Sequence, residues 1–269
     1  MKKISIIITL FIFFGNLFFQ SCKKKDDNIN SQTPTTGVSI PKIATSFDSV
    51  QNITTTFQYD INGRIISEYT SDSVHLEYSY HNDSVFIKSY NSQNFLYQES
   101  KLALNSENLV ESGIIFSFSS KQVYPSFEWP PGTFNFNSKA TVDTLIVHFK
   151  YDNGFLVKQA ESNFSGSYYY LLDTCYYEND NIVFDELHVL PSNKYVTYYT
   201  TDFSLKNTIG YQNIGISFFG KQSKNLVIKK ITNDTDTINI SYIFDSQGRV
   251  IKEIHTGSYI NTYEFTYTN

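Results

Sequence analysis

Hydrophobic and polar residues alternate along most of this chain with a period of two. In residues 144–151 the apolar parity consists of Leu145, Val147, Phe149 and Tyr151. In the last segment the aromatic parity consists of Tyr263, Phe265 and Tyr267, and the opposite parity of Thr262, Glu264 and Thr266. This alternation is typical of half-buried antiparallel strands. Because no segment after residue 22 has a convincing helical period, the pattern predicts an all-β protein.

Two segments carry the same strand–turn–strand sequence. They are F-Q-Y-D-I-N-G-R-I-I-S-E, from Phe57 to Glu68, and Y-I-F-D-S-Q-G-R-V-I-K-E, from Tyr242 to Glu253. Asp at the first and Gly at the fourth position is the preference of a type I turn, in which the Asp side chain bonds to nearby backbone. Structural roles in turns are therefore predicted for Asp60, Gly63, Asp245 and Gly248.

Weaker copies of this hairpin fill the interval between them. Residues 151–158 contain Asn-Gly, a strong hairpin signal, which assigns turn positions to Asp152 and Gly154. Copies with a polar turn but without this glycine are 80–87, 104–110, 176–184 and, with a longer loop, 218–228. The clear turns recur about every 20 to 26 residues, a period of two strands and two turns. We therefore expect an all-β antiparallel meander of repeated hairpins with about 12 to 16 strands, forming a curved sheet or a partly closed barrel.

The N-terminal segment has the form of an export signal. A charged start and an apolar run, Ile4 to Phe19, precede Ser21 and Cys22, and this arrangement resembles a bacterial lipoprotein signal. The resemblance implies cleavage before Cys22 and attachment of two acyl chains to this residue. The run of about 16 residues is shorter than the roughly 20 that span a bilayer, which disfavours an uncleaved anchor. An ordinary secretion signal would not need a cysteine at the cut.

The composition of successive segments indicates the domain boundaries, and the net charge limits the classes of partner that are expected. Residues 1–21 are predicted to be the signal peptide, the polar residues 22–44 a flexible tether, and residues 45–269 a single all-β repeat domain. The formal net charge of −5 provides no electrostatic footprint for nucleic acid, so no nucleic-acid partner is expected. With Cys22 carrying lipid, Cys175 has no partner for a disulfide, and we expect it to be a small buried residue.

Catalytic and metal-binding patterns are sparse. The five His residues lack metal-ligand spacing, and neither a G-x-S-x-G sequence nor a phosphate-binding loop is present, so no metal or cofactor is expected. Four carboxylates could pair across strands as in glycosidases, namely Asp173, Glu178, Asp185 and Glu186. An enzyme is therefore kept as an alternative, although a non-enzymatic protein is favoured.

The turn sequence and the signal together resemble known families. Tyr/Phe-Asp-x-x-Gly-Arg followed by aliphatic residues resembles the YD repeats of Rhs-type proteins. With Cys22 and the stretch G-K-Q-S-K-N-L at 220–226, the chain resembles a family of uncharacterised Bacteroidetes lipoproteins described as porin-like. The resemblance covers most of residues 50–269 and implies a fold but no activity. Only two copies keep both Gly and Arg, so a full Rhs shell is not implied.

The residues after Cys22 bear on location. Lys25-Asp26-Asp27 resembles the short tag with which Bacteroidetes lipoproteins reach the cell surface. The implied location is the outer membrane, with lipid anchorage and the cell surface favoured over the periplasmic face. A solvated tether without any address is the alternative.

A transmembrane barrel is a further alternative, because its strands also alternate. In that case the face that carries Lys150 and Glu264 would line a lumen. Residues 197–203 are polar on both faces, the chain ends in Asn269 rather than an aromatic residue, and a lipid anchor would be redundant. The spanning barrel is therefore disfavoured.

One irregular stretch, 121–137, interrupts the hairpin rhythm with three prolines and the only Trp. Aromatic rings on a stiff loop form a plausible ligand platform, here consisting of Tyr124, Phe127, Trp129, Phe134 and Phe136. The competing interpretation, which we favour, is a plug that folds over an open end of the sheet. The expected function is a non-catalytic binding or interaction module with a glycan or an envelope protein as ligand. A structural envelope protein and a carboxylate-based hydrolase remain alternatives.

Overall fold

The chain folds into a closed antiparallel β-barrel. The computed structural model describes residues 40–118, 142–163, 169–189 and 193–268. In these residues sixteen strands follow one another in chain order, each pairs with its sequence neighbours, and the first pairs with the last. The strands are β1 Ile43–Asp48, β2 Ile53–Tyr59, β3 Ile65–Thr70, β4 His75–His81, β5 Ser84–Tyr90, β6 Leu96–Leu104, β7 Val110–Phe118, β8 Val142–Asp152, β9 Phe155–Asn163, β10 Tyr169–Glu178, β11 Asn181–Val189, β12 Asn193–Lys206, β13 Asn225–Thr232, β14 Asp236–Phe244, β15 Val250–Gly257 and β16 Asn261–Tyr267. The predicted all-β meander is confirmed, and the sheet closes completely.

Closure joins the two terminal strands of the barrel. Ser46 of β1 pairs with Phe265 of β16, and Asp48 pairs with Tyr263. The hydroxyls of Thr45 and Thr266 are 2.7 Å apart and share a hydrogen bond across this seam. Because β1 and β16 each have partners on both sides, neither presents a free edge to another chain.

The aromatic parity of the strands faces the lumen. Val147 of β8 is 1% exposed and pairs with Gly113 and Glu161, whereas His148 and Lys150 on the other parity are exposed. The alternation predicted for residues 144–151 is thus the alternation between lumen and exterior. The aromatic side chains packed into the two buried clusters include Phe57, Tyr59, Tyr78, Tyr80, Phe149, Tyr177, Tyr199, Tyr242, Phe265 and Tyr267.

The other parity gives the barrel a charged exterior. Glu77, Lys88 and Glu99 form one row across β4, β5 and β6, with opposite charges next to each other. Further charged residues of this face are Lys101, Lys150, Lys158, Glu186, Lys194, Lys229, Lys252 and Glu264. In the transmembrane alternative the face with Lys150 and Glu264 would have lined a lumen. The structure has the reverse arrangement, since this face is the outside of the barrel.

The hairpins divide the barrel into two ends. The turns that follow even-numbered strands, including the predicted turns of Asp60, Asp152 and Asp245, lie at one end, called the plugged end below. The turns that follow odd-numbered strands lie at the opposite end. The chain also enters β1 and leaves β16 at the plugged end, where the Thr268 amide bonds to the Lys42 carbonyl at 2.8 Å.

The first Asp-x-x-Gly-Arg turn builds a cluster of four residues. The Asp60 carboxylate accepts the Arg64 backbone N–H at 2.9 Å and pairs with the Arg64 guanidinium at 2.7 Å. This guanidinium lies 4.4 Å from the ring centre of Tyr80, and the Tyr80 hydroxyl donates to the carbonyl of Ile65 at 2.9 Å. The cluster therefore ties the turn to a strand that follows it in the barrel.

The second copy of the turn repeats this cluster. The Asp245 carboxylate accepts the Arg249 backbone N–H at 2.9 Å and pairs with the Arg249 side chain at 2.7 Å. The Arg249 guanidinium lies 4.5 Å from the ring centre of Tyr267, whose hydroxyl donates to the carbonyl of Val250 at 2.7 Å. Both arginines thus stack on a tyrosine, and the hydroxyl of this tyrosine donates to the backbone carbonyl of the residue directly after the arginine.

The long connection between β12 and β13, residues 207–224, fills the plugged end and is called the plug. Its apolar side chains are buried against the strands, namely Tyr211, Ile214, Ile216, Phe218 and Phe219. The plug also bonds to strand backbones. The amide of Ile43 donates to the Asn213 carbonyl at 2.9 Å, and that of Ile65 donates to the Gly215 carbonyl at 3.3 Å. This segment therefore completes the hydrophobic core that the strands leave open.

The plug corrects one sequence-based prediction. Residues 218–228 were predicted to be a hairpin with a longer loop, yet Ser217–Phe219 form a short 3₁₀ turn and β12 ends at Lys206. Phe218 and Phe219 are buried inside the barrel end rather than placed in a strand, because their rings pack against those of Tyr80 and Phe149. Among the described residues, no helix is long and apolar enough to cross a membrane.

Candidate functional site: a cavity in the barrel lumen

A cavity of about 140 Å³ lies inside the lumen above the plug. Its floor includes Ile209 and Ile214 of the plug, and its wall includes side chains of β1, β2 and β13 to β16. Gln51, an exposed residue of the β1–β2 turn, also lines it, so the cavity reaches toward the end opposite the plug. The cavity is therefore a pocket with a closed floor rather than a channel through the barrel.

Lys230 supplies a cation to this cavity. It pairs with Tyr199 and Ile238 on the lumen parity of β13, and its side chain lines the cavity. Burial inside the barrel lowers the Lys230 pKa, and the nearby carboxylates of Glu253 and Asp185 oppose this change. The ammonium makes no hydrogen bond or ion pair within 4.0 Å to any residue that the structure describes. It therefore borders the cavity with its donors available.

Glu253 and His255 form the acidic side of the cavity. Glu253 pairs with Tyr242, and its carboxylate lies 2.5 Å from Nε2 of His255. The Nδ1 atom of His255 lies 3.1 Å from the hydroxyl of Tyr259, so both ring nitrogens have partners. His255 is 2% exposed, which fixes its orientation. The Glu253 carboxylate is thus already engaged by a protein donor.

The repeat sequence contained a signal for these acidic groups. Glu68 and Glu253 occupy the same last position of the two copies, and they pair with Phe57 and Tyr242 on the lumen face. Glu68 is buried and accepts a hydrogen bond from the Tyr78 hydroxyl. Burial raises the pKa of Glu68 to about 7. Both copies of the hairpin therefore place a glutamate inside the barrel.

A second buried acidic cluster lies on β10 to β12. The Tyr199 hydroxyl donates to the Asp185 carboxylate at 2.5 Å, and the Cys175 thiol lies 3.7 Å from the Asp173 carboxylate. Burial, together with the charge of Asp185, raises the pKa of Asp173 to about 8, and burial raises that of Asp185 to about 6. The second Asp173 oxygen has no hydrogen-bond partner among the described residues.

The four carboxylates considered for cross-strand pairing separate between the two faces. Asp173 and Asp185 face the lumen, on a strand pair in which Asp185 is directly opposite Cys175. Glu186 faces outward and pairs with Lys194 at 2.9 Å, and Glu178 is exposed. Neither Asp173 nor Asp185 is among the residues that line the cavity. The lumen thus brings two of the four together, but outside the lining of this cavity.

Of the other residues predicted from the sequence, one group lies in a turn of the barrel and a second group lies outside the described residues. Asp152 and Gly154 lie in the β8–β9 turn, where the Gly154 carbonyl accepts the Lys221 amide of the plug at 2.7 Å. Cys22 and the aromatic platform of the irregular stretch lie outside the described residues; that platform is Tyr124, Phe127, Trp129, Phe134 and Phe136. The predicted ligand platform and the lipid attachment therefore stay predictions.

Sequence reasoning missed Lys230 and the plug. Lys230 lies in N-L-V-I-K-K-I-T, where Lys229 and Lys230 are adjacent and only the register of the barrel decides which one faces inward. The buried plug residues, such as Phe218 and Phe219, are apolar, but in the sequence they resemble the end of a strand. In both cases the deciding contacts come from residues far away in the sequence.

The protein is thus, in the described part of the chain, a closed antiparallel β-barrel of sixteen strands whose lumen retains a cavity with mostly apolar walls. No protein-family model and no curated protein matches the sequence. Two solved structures share the fold. One is described as a porin-like protein from Bacteroides uniformis, with a TM-score of 0.60, 14% identity, and coverage of 87% of this chain and 99% of that chain. The other is described as a porin-like protein from Bacteroides vulgatus, with a TM-score of 0.57, 9% identity, and coverage of 85% and 99%.

These likenesses concern the fold alone, because the identities are low. A match to the structure described as TcdB2-TccC3-TEV has 14% identity and covers 75% of this chain but only 11% of that chain. Its TM-score is 0.25, and nothing is concluded from it. The likeness to the two Bacteroides proteins agrees with the fold implied by the porin-like resemblance, and it leaves the function to be argued from the site.

Proposed function

We propose that this protein is a lipid-anchored barrel of the bacterial cell envelope that acts by binding, without catalysis and without conducting solutes. The anchor is the diacylated Cys22, the location is the outer membrane, and the domain faces the cell surface. Its ligand is a glycan or another envelope component. This is the function that agrees best with a barrel that the plug closes at one end and that follows a polar segment of the sequence.

The observation that carries the proposal is the distribution of charge across the barrel wall. Charged side chains such as Glu77, Lys88 and Glu99 face outward near the middle of their strands, whereas the aromatic residues of the two buried clusters face the lumen. A lysine at the bilayer midplane on the lipid face of a barrel costs about 2–4 kcal/mol. With such residues on most strands, this distribution favours a barrel whose outer surface meets water.

The interior supports binding over conduction. A conducting barrel needs a continuous water-filled lumen, whereas here the apolar plug residues pack against strands β1 to β8, and the Thr208 hydroxyl of the plug accepts the Val250 amide of β15 at 2.9 Å. Above the plug, a pocket with a small number of polar groups among apolar and aromatic walls has the composition of a small-molecule site. A structural envelope protein without a ligand would have no need of such a pocket.

Protease shaving of intact cells tests the location. A lipidated, C-terminally tagged copy is expected to lose its tag when protease is added to intact cells, because the domain lies outside. The matched Cys22→Ala variant is expected to leave the membrane fraction, because two acyl chains provide stable anchorage and no other element of the proposal binds lipid. Protection of the tag until the outer membrane is opened would contradict the surface location. Retention of Cys22→Ala in the membrane would contradict the lipid anchor.

A further inference from the structure

Two polar groups of residues that line the lumenal cavity have no hydrogen-bond partner among the residues that the structure describes. Thr55 is 1% exposed, and its hydroxyl has no hydrogen-bond partner among the residues that the structure describes. The Lys230 ammonium has neither a hydrogen bond nor an ion pair in the same residues. An unsatisfied buried polar group is costly, so such groups in folded proteins generally meet water or a ligand. Thr55 and Lys230 line the same cavity.

The charges around the cavity favour a ligand without net charge. Glu253 and Asp48 lie in the same wall as Lys230 and would repel a free anion. The Glu253 carboxylate is engaged with His255, and the Asp48 carboxylate accepts the amides of Val50 and Gln51, at 2.9 and 3.1 Å.

A metal ion is a poor match for the same wall. The described residues contain no group of three or more His, Cys, Asp or Glu side chains arranged to hold a metal ion. The donors of Lys230 and Thr55 are instead suited to the hydroxyl oxygens of a neutral molecule.

The wall residues and the size of the cavity further limit the class of ligand. Phe57, Tyr242, Tyr263 and Phe265 line it, and aromatic rings offer apolar faces and edges to the carbon-bound hydrogens of a ring. The volume of about 140 Å³ is close to that of an engineered apolar cavity of about 150 Å³ that admits benzene. The enclosed volume is therefore that of one small ring, and the ring substituents of a sugar would extend toward the mouth at Gln51, where an extended oligosaccharide would have to leave its other rings outside.

We propose that the lumenal cavity binds a single neutral sugar ring or a polyol of that size, held by Lys230 and Thr55 against the aromatic wall. This proposal deepens the binding function proposed above and rests on it. The sugar enters from the end opposite the plug, where Gln51 and Asp48 border the cavity. Its hydroxyl oxygens accept from Lys230, and one hydroxyl exchanges a hydrogen bond with Thr55.

The test measures sugar binding by the purified lipidated protein in a detergent that has no sugar headgroup. Glucose, galactose, mannose and N-acetylglucosamine are each titrated by calorimetry and by saturation-transfer NMR. Inorganic phosphate and glycine serve as the anionic and zwitterionic comparisons. At least one sugar is expected to bind, and phosphate and glycine are not. Lys230→Met is expected to weaken that binding about tenfold or more, because hydrogen bonds to charged groups are the stronger ones.

The chain offers matched control variants. Lys229→Met removes the neighbouring lysine on the outer face and is expected to keep wild-type affinity. Thr55→Val keeps the shape of the side chain and is expected to weaken binding several-fold. Thr56→Val, on the exposed parity, is expected to have no effect. If Lys230→Met fails to fold, the Thr55 pair still tests the site.

Three results would contradict the sugar site, and they differ from the results that would contradict the proposed location. Absence of binding for all four sugars, binding of phosphate or glycine in their place, or unchanged sugar binding in both Lys230→Met and Thr55→Val would each overturn the sugar site. None of these results would alter the shaving and fractionation outcomes, so a failure of the sugar site is distinguishable from a failure of the proposed location.

Discussion

Replacing Gly215 by alanine is expected to destabilise the barrel by about 2–4 kcal/mol. Gly215 has a φ of 76°, in the left-handed region that non-glycine residues rarely adopt. A Cβ atom here would lie 2.7 Å from the Ile65 backbone nitrogen and 2.9 Å from the Gly63 carbonyl oxygen. Both neighbours are backbone atoms, so neither can rotate away. Any shift would also break the bond from the Ile65 amide to the Gly215 carbonyl.

Gly248 provides the matched control for this substitution. Its φ of 75° is nearly the same, but a Cβ atom would have no neighbour within 4 Å. Gly248→Ala is therefore expected to cost only the conformational part, about 1–2 kcal/mol. Chemical denaturation followed by circular dichroism gives both free energies of unfolding. Equal losses in the two variants would mean that the plug is not packed against the β2–β3 turn.

The second large effect is a loss of stability as the pH rises. Burial raises the pKa of Asp173 to about 8 and that of Glu161 to about 7, as it does for Glu68. In the folded chain these groups therefore keep their protons in a range where the unfolded chain has released them. Their stabilising contribution is complete below the unfolded pKa of about 4 and is lost as the pH rises through the folded values. Each group contributes a slope of up to about 1.4 kcal/mol per pH unit.

Melting curves between about pH 5 and about pH 8 measure this effect, and the melting temperature is expected to fall across the interval. A loss of 1 kcal/mol corresponds to about 2–4 °C for a chain of this size. Asp173→Asn is expected to reduce the fall, because an amide does not ionise. The lowered pKa of Lys230 has the opposite effect on stability. Because the folded chain releases this proton at a lower pH than the unfolded chain, the free energy of unfolding rises as the pH increases toward the unfolded pKa of 10.5.

Glu186→Gln is the control for the pH experiment. Glu186 faces outward, and its hydrogen bond with Lys194 is the main reason that its pKa is lowered. Its contribution is therefore lost only in acid, below the interval that is measured, and the variant should retain the wild-type profile. A melting temperature that is flat or rising from about pH 5 to about pH 8 would contradict buried, protonated carboxyl groups in the lumen.

The sequence predicts the strands and their faces well, because both depend on local patterns. The alternation around Val147 fixes which side chains share a face, and the aromatic majority identifies the buried one. The Asp60 and Asp245 turns follow from local side-chain to backbone bonds. Full closure does not follow from local patterns, since it depends on the pairing of β1 with β16 across more than 200 residues.

The lumen could be predicted only in part. Glu68 and Glu253 end the two clear repeats, and the parity of the hairpin would have placed both on the aromatic face. Lys230 and the plug carry no such signal. Their positions depend on barrel register and on space left by distant strands, as the burial of Phe218 among residues of β1 to β8 illustrates. The propensities of individual residues determine neither the register of the barrel nor the space left by distant strands.

The proposed function requires a barrel that is closed at the plugged end and meets water on its outer surface, so that the lipid on Cys22 alone holds it to the membrane. We would examine this requirement by sedimentation equilibrium of the Cys22→Ala protein, with the signal removed and in buffer without detergent. We expect a folded, monodisperse β-rich protein that stays in solution, because its outward face carries charged rows such as that of Glu77, Lys88 and Glu99. Aggregation without detergent, with recovery of the folded barrel only in micelles, would contradict it.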